Sequence, residues 1–182
     1  MKKITFVLTF SILFCGASKI YASENYDYIP YMGLGYNYTT TNALSSHLSH
    51  NSATFYIGSE YSDYFSTQVY ISQSDSEKKE QINNKNSFRS YGLDINGYLP
   101  LDCFRRFYLV ATAGIGEYVV KEKITNNKHF SHQGLGYRFG SGFKYKFDNN
   151  WQMRAIVRYI SYDKLEKFDH SIDYSINMEY HF

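Results

Sequence analysis

Eight charged residues stand where charge is costly. Glu60, Asp94, Asp173 and Glu179, with Arg138, Lys144, Arg154 and Arg158, each lie on the polar side of a segment whose alternate positions are apolar. Acids and bases in such places can pair, line an ion path, or act as acid–base groups. An enclosed charge without a partner costs several kcal/mol, so pairing or water is required. The expectation is a mixed-sign network filling an enclosed polar space, with structural polarity preferred to a gated conductance path.

The histidines form a second set. His47 and His50, and again His129 and His132, frame the pattern His-apolar-Ser-His. Imidazoles in polar loops could hold zinc or copper or sense acid. The spacing alone fixes no ligand geometry, so no metal site is assigned. Serine and histidine adjoin at Ser131-His132 and His170-Ser171, but in a strand adjacent residues face opposite sides. No nucleophile elbow or triad spacing occurs. The expectation is a chain that is not an enzyme and carries no cofactor.

The elements that must position these charges are strands. In the final segment, 170–182, Ile172, Tyr174, Ile176, Met178, Tyr180 and Phe182 alternate with Ser171, Asp173, Ser175, Asn177, Glu179 and His181. This period of two puts every apolar side chain on one face. Seven earlier segments alternate too: 29–38, 53–61, 65–72, 90–99, 107–119, 134–147 and 151–160. Val110, Val119, Ile156 and Ile160 blur the polar face in two of them, and Gly114 and Gly116 suggest a bulge or close packing. Tyr and Phe cluster near segment ends. Tyr64, Phe65, Phe107, Phe147, Trp151, Tyr180 and Phe182 mark one level, and Tyr137, Tyr159 and Tyr162 another. Connections alternate short (62–64, 100–106, 148–150) with long and polar (39–52, 73–89, 120–133, 161–169).

The start of the chain supplies the compartment. Lys2 and Lys3 precede an apolar run at 4–14 and then small residues, the layout of a secretory signal peptide cleaved after Ala22. Cys15 suggests a lipobox, but Phe14 stands where a small residue is needed. Without residues 1–22 the nineteen basic residues fall to sixteen against seventeen acids, turning a formal +2 into −1. No nucleic-acid partner is expected from that balance. Cys103 is then the one remaining cysteine, so no intramolecular disulfide is possible.

Strands apolar on one face, exported, with no long apolar run, can enter a membrane only as a closed barrel. The fold expected for 23–182 is therefore an all-β, eight-stranded antiparallel up-and-down transmembrane barrel. Short connections and both termini lie in the periplasm and long loops lie outside the cell. The chain resembles the small eight-stranded outer-membrane proteins, the OmpA-like and opacity-type barrel families. The resemblance covers the whole mature chain and is most specific at Tyr174, Ile176, Met178, Tyr180 and terminal Phe182. It implies that this strand is the insertion signal read by the barrel-assembly machinery. It also implies outer-membrane lipid and lipopolysaccharide as surroundings, and a host surface ligand on the loops. No peptidoglycan-binding domain is expected after Phe182. A lipid A-modifying enzyme and a small-conductance porin are the other roles such barrels suggest.

Overall fold

The alternating segments pair edge to edge until the last meets the first. The computed structural model describes residues 28–43, 46–74, 77–78, 85–124, 128–163 and 168–182. The expected signal peptide and residues 164–167 lie outside them. The strands are β1 (Ile29–Ala43), β2 (Ser46–Ser62), β3 (Phe65–Ser74), β4 (Glu77–Lys78), β5 (Lys85–Pro100), β6 (Phe107–Ile124), β7 (Lys128–Lys146), β8 (Trp151–Asp163) and β9 (Phe168–His181). All pairings are antiparallel. β1 pairs with β9 and β3 with β5, which closes the ring, while β4 is a two-residue rung on β5. Eight strands thus make the wall of an up-and-down barrel. Among the described residues no helix is long and apolar enough to cross a membrane.

Burial is the reverse of a water-soluble protein. Ile176 is 63% exposed and Leu34 66%, whereas Arg154 and Lys144 are 0% exposed. Along β8 every odd residue from Trp151 to Tyr159 is exposed and every even one from Gln152 to Ile160 is buried. Such an arrangement is stable only where the outer solvent is hydrocarbon. A soluble sandwich would hide these apolar rows against a second sheet.

The strands run further than apolar alternation suggests. β1 continues through Thr39 to Ala43, β2 begins at Ser46, β5 begins at Lys85, β6 reaches Ile124 and β7 begins at Lys128. Much of the expected long loops is therefore paired backbone. Outward positions there turn polar, at Thr40, Asn51, Gln73, Arg89 and Gln133, so both faces are polar and apolar patterning is lost. The hydrogen-bonded ladder does not need that patterning. Five added residues in β6 extend it by about 17 Å.

Three apolar exceptions on the polar face have a reason. Val110 and Ile156 pack with Tyr98 and Tyr108 inside the barrel, and Ile160 packs with Tyr118. Tyr162, expected in the outer girdle, instead turns inward, meeting Tyr118 edge-on at 5.0 Å and donating to Ser171 at 2.9 Å. The other girdle tyrosines, Tyr137 and Tyr159, are exposed. At the opposite end, carboxylates cap the turns. Asp102 accepts from the backbone N–H groups of Arg106 (2.9 Å) and Phe107 (2.7 Å), and Asp148 from those of Asn150 (2.8 Å) and Trp151 (2.7 Å). Those bonds hold both carboxyls below the usual aspartate range. Cys103 is exposed in the first of these turns.

Candidate functional site: the ion-paired lumen and its outer rim

Alternation sends the polar residue of each strand inward, and the barrel is narrow enough for residues on opposite walls to touch. The eight charged residues meet as four pairs. Arg138 donates through Nε to Asp94 at 2.6 Å and pairs with it again through Nη2. Lys144 reaches Glu60 at 2.5 Å, from β7 to β2, which face each other across the ring. Arg154 pairs with Glu179. Arg158 and Asp173, directly opposite in the β8–β9 register, pair at 3.1 Å.

Each pair is held by neutral neighbours that charge patterning alone does not reveal. Gln68 donates to Asp94 at 2.7 Å and accepts from Arg154 at 2.7 Å, linking two pairs. Asp173 accepts from Thr39 at 2.9 Å. The Arg138 guanidinium lies 3.3 Å from the centre of the Tyr70 ring, and the Lys144 ammonium 3.4 Å from that of Tyr98. His181 lies 3.4 Å from both Glu60 and Glu179 and stacks on Tyr31 at 4.9 Å, flooring the lumen at the short-turn end. The signal for these partners is present in the sequence: Tyr31, Tyr56, Tyr70, Tyr98 and His181 all fall on polar-face positions.

Glycines provide the room. Gly114 on β6 stands between Asp94 on β5 and Arg138 on β7 in the register, and a Cβ there would lie 2.1 Å from the Asp94 carboxylate. The pair forms across a strand because that strand has no side chain at the crossing. Gly33 does the same under Tyr56, whose hydroxyl donates to Glu179 at 3.1 Å. Close packing, not a bulge, is therefore the role of Gly114, and the β5–β6 and β6–β7 registers run through it unbroken.

Above the ion pairs the lumen is lined with hydroxyls. Thr54 donates to Ser72 at 2.9 Å, Ser72 to Ser52 at 3.1 Å, and Ser171 to Thr41 at 2.7 Å. His170 lies on the other face of β9, stacked on Tyr159 at 5.4 Å, so Ser171 and His170 do not come together. His50 sits at the mouth with its ring 4.5 Å from Phe88. Burial lowers its pKa to about 4, so the imidazole is neutral at pH 7. His47, His129 and His132 lie on paired backbone, opposite Asn42, Lys123 and Val120. Their side chains are outside the described residues. Because a strand repeats every two residues, His47 and His50 fall on opposite faces, as do His129 and His132. The His-apolar-Ser-His spacing, taken in the sequence as loop, falls on the strand backbone of β2 and β7. Among the described residues no group of three or more His, Cys, Asp or Glu is placed to hold a metal.

The final strand turns its apolar row outward. Tyr174, Ile176, Met178 and Phe182 are exposed, and half-buried Tyr180 packs edge-on against Trp151 at 5.1 Å and Phe182 at 5.3 Å. An ion-filled interior, a hydrocarbon-facing exterior and a ring closed by this strand are the geometry on which the sequence comparison bears. The sequence matches the outer membrane protein beta-barrel domain over residues 7–182. The chain belongs to that family. It is a protein of the bacterial outer membrane.

Solved structures of the same fold include Neisserial surface protein A, at TM-score 0.72 and 13% identity, covering 84% of this chain and 97% of that one. Ail, the attachment invasion locus protein of Yersinia pestis, in complex with the heparin analogue sucrose octasulfate, aligns at TM-score 0.64 and 13% identity, over 86% of this chain and 99% of that one. The N-terminal barrel of Pseudomonas aeruginosa OprF aligns at 0.58 and 12%, over 82% and 97%. At these identities the likeness is one of fold. No curated protein matches the sequence.

Proposed function

We propose that this protein is a non-conducting surface-display barrel, whose lumen is a structural plug and whose extracellular hairpins engage a host surface. The observation that carries the reading is the division of labour along the barrel axis. Lys144–Glu60 and Arg154–Gln68 cross the lumen from opposite walls, tying the interior shut. Above them paired strands rise well past the apolar band, which gives the loops a stiff base. Loops carried on a rigid scaffold are a common site of recognition. The likeness to an attachment invasion locus protein supports the same direction without assigning a ligand. The separation of Ser171 from His170 favours a non-enzymatic role over lipid A modification. The exposed row ending at Phe182 suits recognition by the barrel-assembly machinery during insertion.

The test replaces each extracellular hairpin in turn with a short Gly-Ser turn and measures attachment of expressing bacteria to host cells. Loss of attachment in at least one folded variant is expected, and full attachment in all four would sink the adhesion reading. In planar bilayers the wild-type protein should pass no steady current. A conductance that changes when Arg138 and Arg154 are neutralised together would replace the plug with a porin.

A further inference from the structure

The three short turns differ in what their acids meet. Asp63, in the β2–β3 turn, pairs with Arg105 of the β5–β6 turn at 2.7 Å. Asp102 shares that second turn with Arg105 and Arg106. Asp148, in the β7–β8 turn, is followed only by Asn149 and Asn150. Both of the backbone bonds it accepts, from Asn150 and Trp151, end on Oδ1. Those bonds, and no cation, set its depressed pKa. An exposed, ionised carboxylate is therefore left with Oδ2 uncommitted among the described residues.

Beside this acid the outer wall is grooved. Phe147, Asp148, Trp151 and Met178 line a hollow of about 360 Å³, at the small end of the range of ligand clefts, about 300–1,000 Å³. Its walls are propped by further rings. Tyr145 meets Phe147 edge-on at 5.1 Å, and Tyr180 meets Trp151 at the same distance. By contrast Phe107 of β6 and Phe143 of β7 stack ring on ring, at 5.3 Å with 12° between their planes. Met178 belongs to the exposed apolar row of β9, so the hollow is continuous with the hydrocarbon-facing surface. An apolar trough thus ends at a carboxylate that has no cation. An amphiphile with a cationic head matches both parts.

We infer that this groove seats a phospholipid with a primary ammonium headgroup, Asp148 taking the ammonium and Phe147, Trp151 and Met178 the upper part of an acyl chain. A primary ammonium donates N–H bonds to the carboxylate, a charge-assisted contact that a quaternary choline cannot make. Outer-membrane barrels keep their short turns on the periplasmic side. The groove then opens on the phospholipid leaflet, where such headgroups lie. It is at the opposite end of the barrel from the long hairpins, so it stands or falls apart from the attachment assay.

Trp151 is the single tryptophan of the chain and lines the groove, so its fluorescence reports this site alone. The test reconstitutes the full mature chain into vesicles of phosphatidylethanolamine and phosphatidylcholine, with bromine on the upper acyl chain of one lipid or the other. Folding is checked by gel mobility with and without boiling. Quenching across the mixing series gives the relative association constant of the two lipids. It should favour phosphatidylethanolamine by about threefold, the scale of an exposed ion pair. Asp148→Asn should bring the ratio within about 1.5-fold of unity, whereas Asp102→Asn, the cap of the other turn, should keep the wild-type value. Stepwise N-methylation of the headgroup should lower the preference on the wild-type protein, which tests the contact without any substitution. Equal quenching by the two lipids, or a preference that survives in folded Asp148→Asn, would overturn the proposal. Stronger quenching by brominated phosphatidylglycerol would do so as well, assigning the rim to the arginines of the β5–β6 turn.

Discussion

Inside the barrel each base meets an acid, whereas on the outer flank of β5 to β7 base is set beside base. The two regions use the same residue types and the same ladder. They differ in solvent and in what the charges can reach. In the lumen, water is displaced by tyrosine rings and amides, so a charge is tolerable only with its partner in contact. Arg138, Lys144, Arg154 and Arg158 are accordingly consumed by Asp94, Glu60, Glu179 and Asp173. On the flank the register sets Lys85 opposite Lys123, with no acid between them in that row. The lumenal charges are fixed by their partners in contact.

The sharpest way to break this contrast is to remove one member of each kind. Arg154→Met leaves Glu179 buried beside Tyr56 and His181 without its cation, and should cost about 3–5 kcal/mol in urea unfolding from lipid vesicles. The double change R154M/E179L removes the orphan and should recover most of that loss. Lys85→Met on the flank should leave the unfolding midpoint within about 0.5 kcal/mol of wild type. If Arg154→Met costs less than about 1 kcal/mol, the lumenal pairs are not what holds the interior.

A smaller effect separates glycines that make room from those that do not. At Gly114 an added Cβ would meet the Asp94 carboxylate at 2.1 Å and the Leu93 carbonyl oxygen at 2.6 Å, and the second is backbone that cannot rotate away. Gly114→Ala should cost about 1–3 kcal/mol, the range for overpacking a filled interior. At Gly97, on the outer face of the neighbouring strand, the nearest atom would be 4.0 Å away, and alanine there should be neutral or slightly stabilising. Equal losses at the two positions would contradict the view that Gly114 is a crossing point for Asp94 and Arg138.

The same contrast governs how much was legible beforehand. Strand number, closure and the eight lumenal charges follow from alternation, because lipid outside and polarity inside write a period of two directly into the sequence. Which acid meets which base does not follow. Lys144 and Glu60 are 84 residues apart and their pairing depends on wall-to-wall distance. Arg138 reaches Asp94 only because Gly114 lies between them. Strand ends above the membrane were illegible for a different reason. Between Thr39 and Asn42, and between Lys121 and Lys123, polar residues fill successive positions, so the ladder persists after the pattern that announces it has ended. The inward turn of Tyr162 escaped notice for the same reason.

pH probes the upper lumen at lower amplitude. His50, level with the polar outer rim, keeps its neutral form down to about pH 4, because burial against Phe88 outweighs the favourable pull of Asp173 on the charged form. In the unfolded chain the same imidazole takes up its proton near pH 6.5. Between those values the unfolded state binds the extra proton, so stability falls as pH drops from about 6.5 to 4 and the slope vanishes below the folded value. Asp102 and Asp148 act in a lower window. Their depressed folded pKa values stabilise the turns above the unfolded aspartate range, and that contribution disappears as pH falls through the folded values. The two windows can be told apart by substitution. Between pH 7 and 5, His50→Gln should flatten the fall in the unfolding midpoint, by less than the full limit of about 1.4 kcal/mol per pH unit. Asp148→Asn should leave that interval unchanged and alter the profile only below about pH 4. A His50→Gln profile that still falls from pH 7 to 5 as steeply as wild type would show that another group sets the acid sensitivity of the mouth.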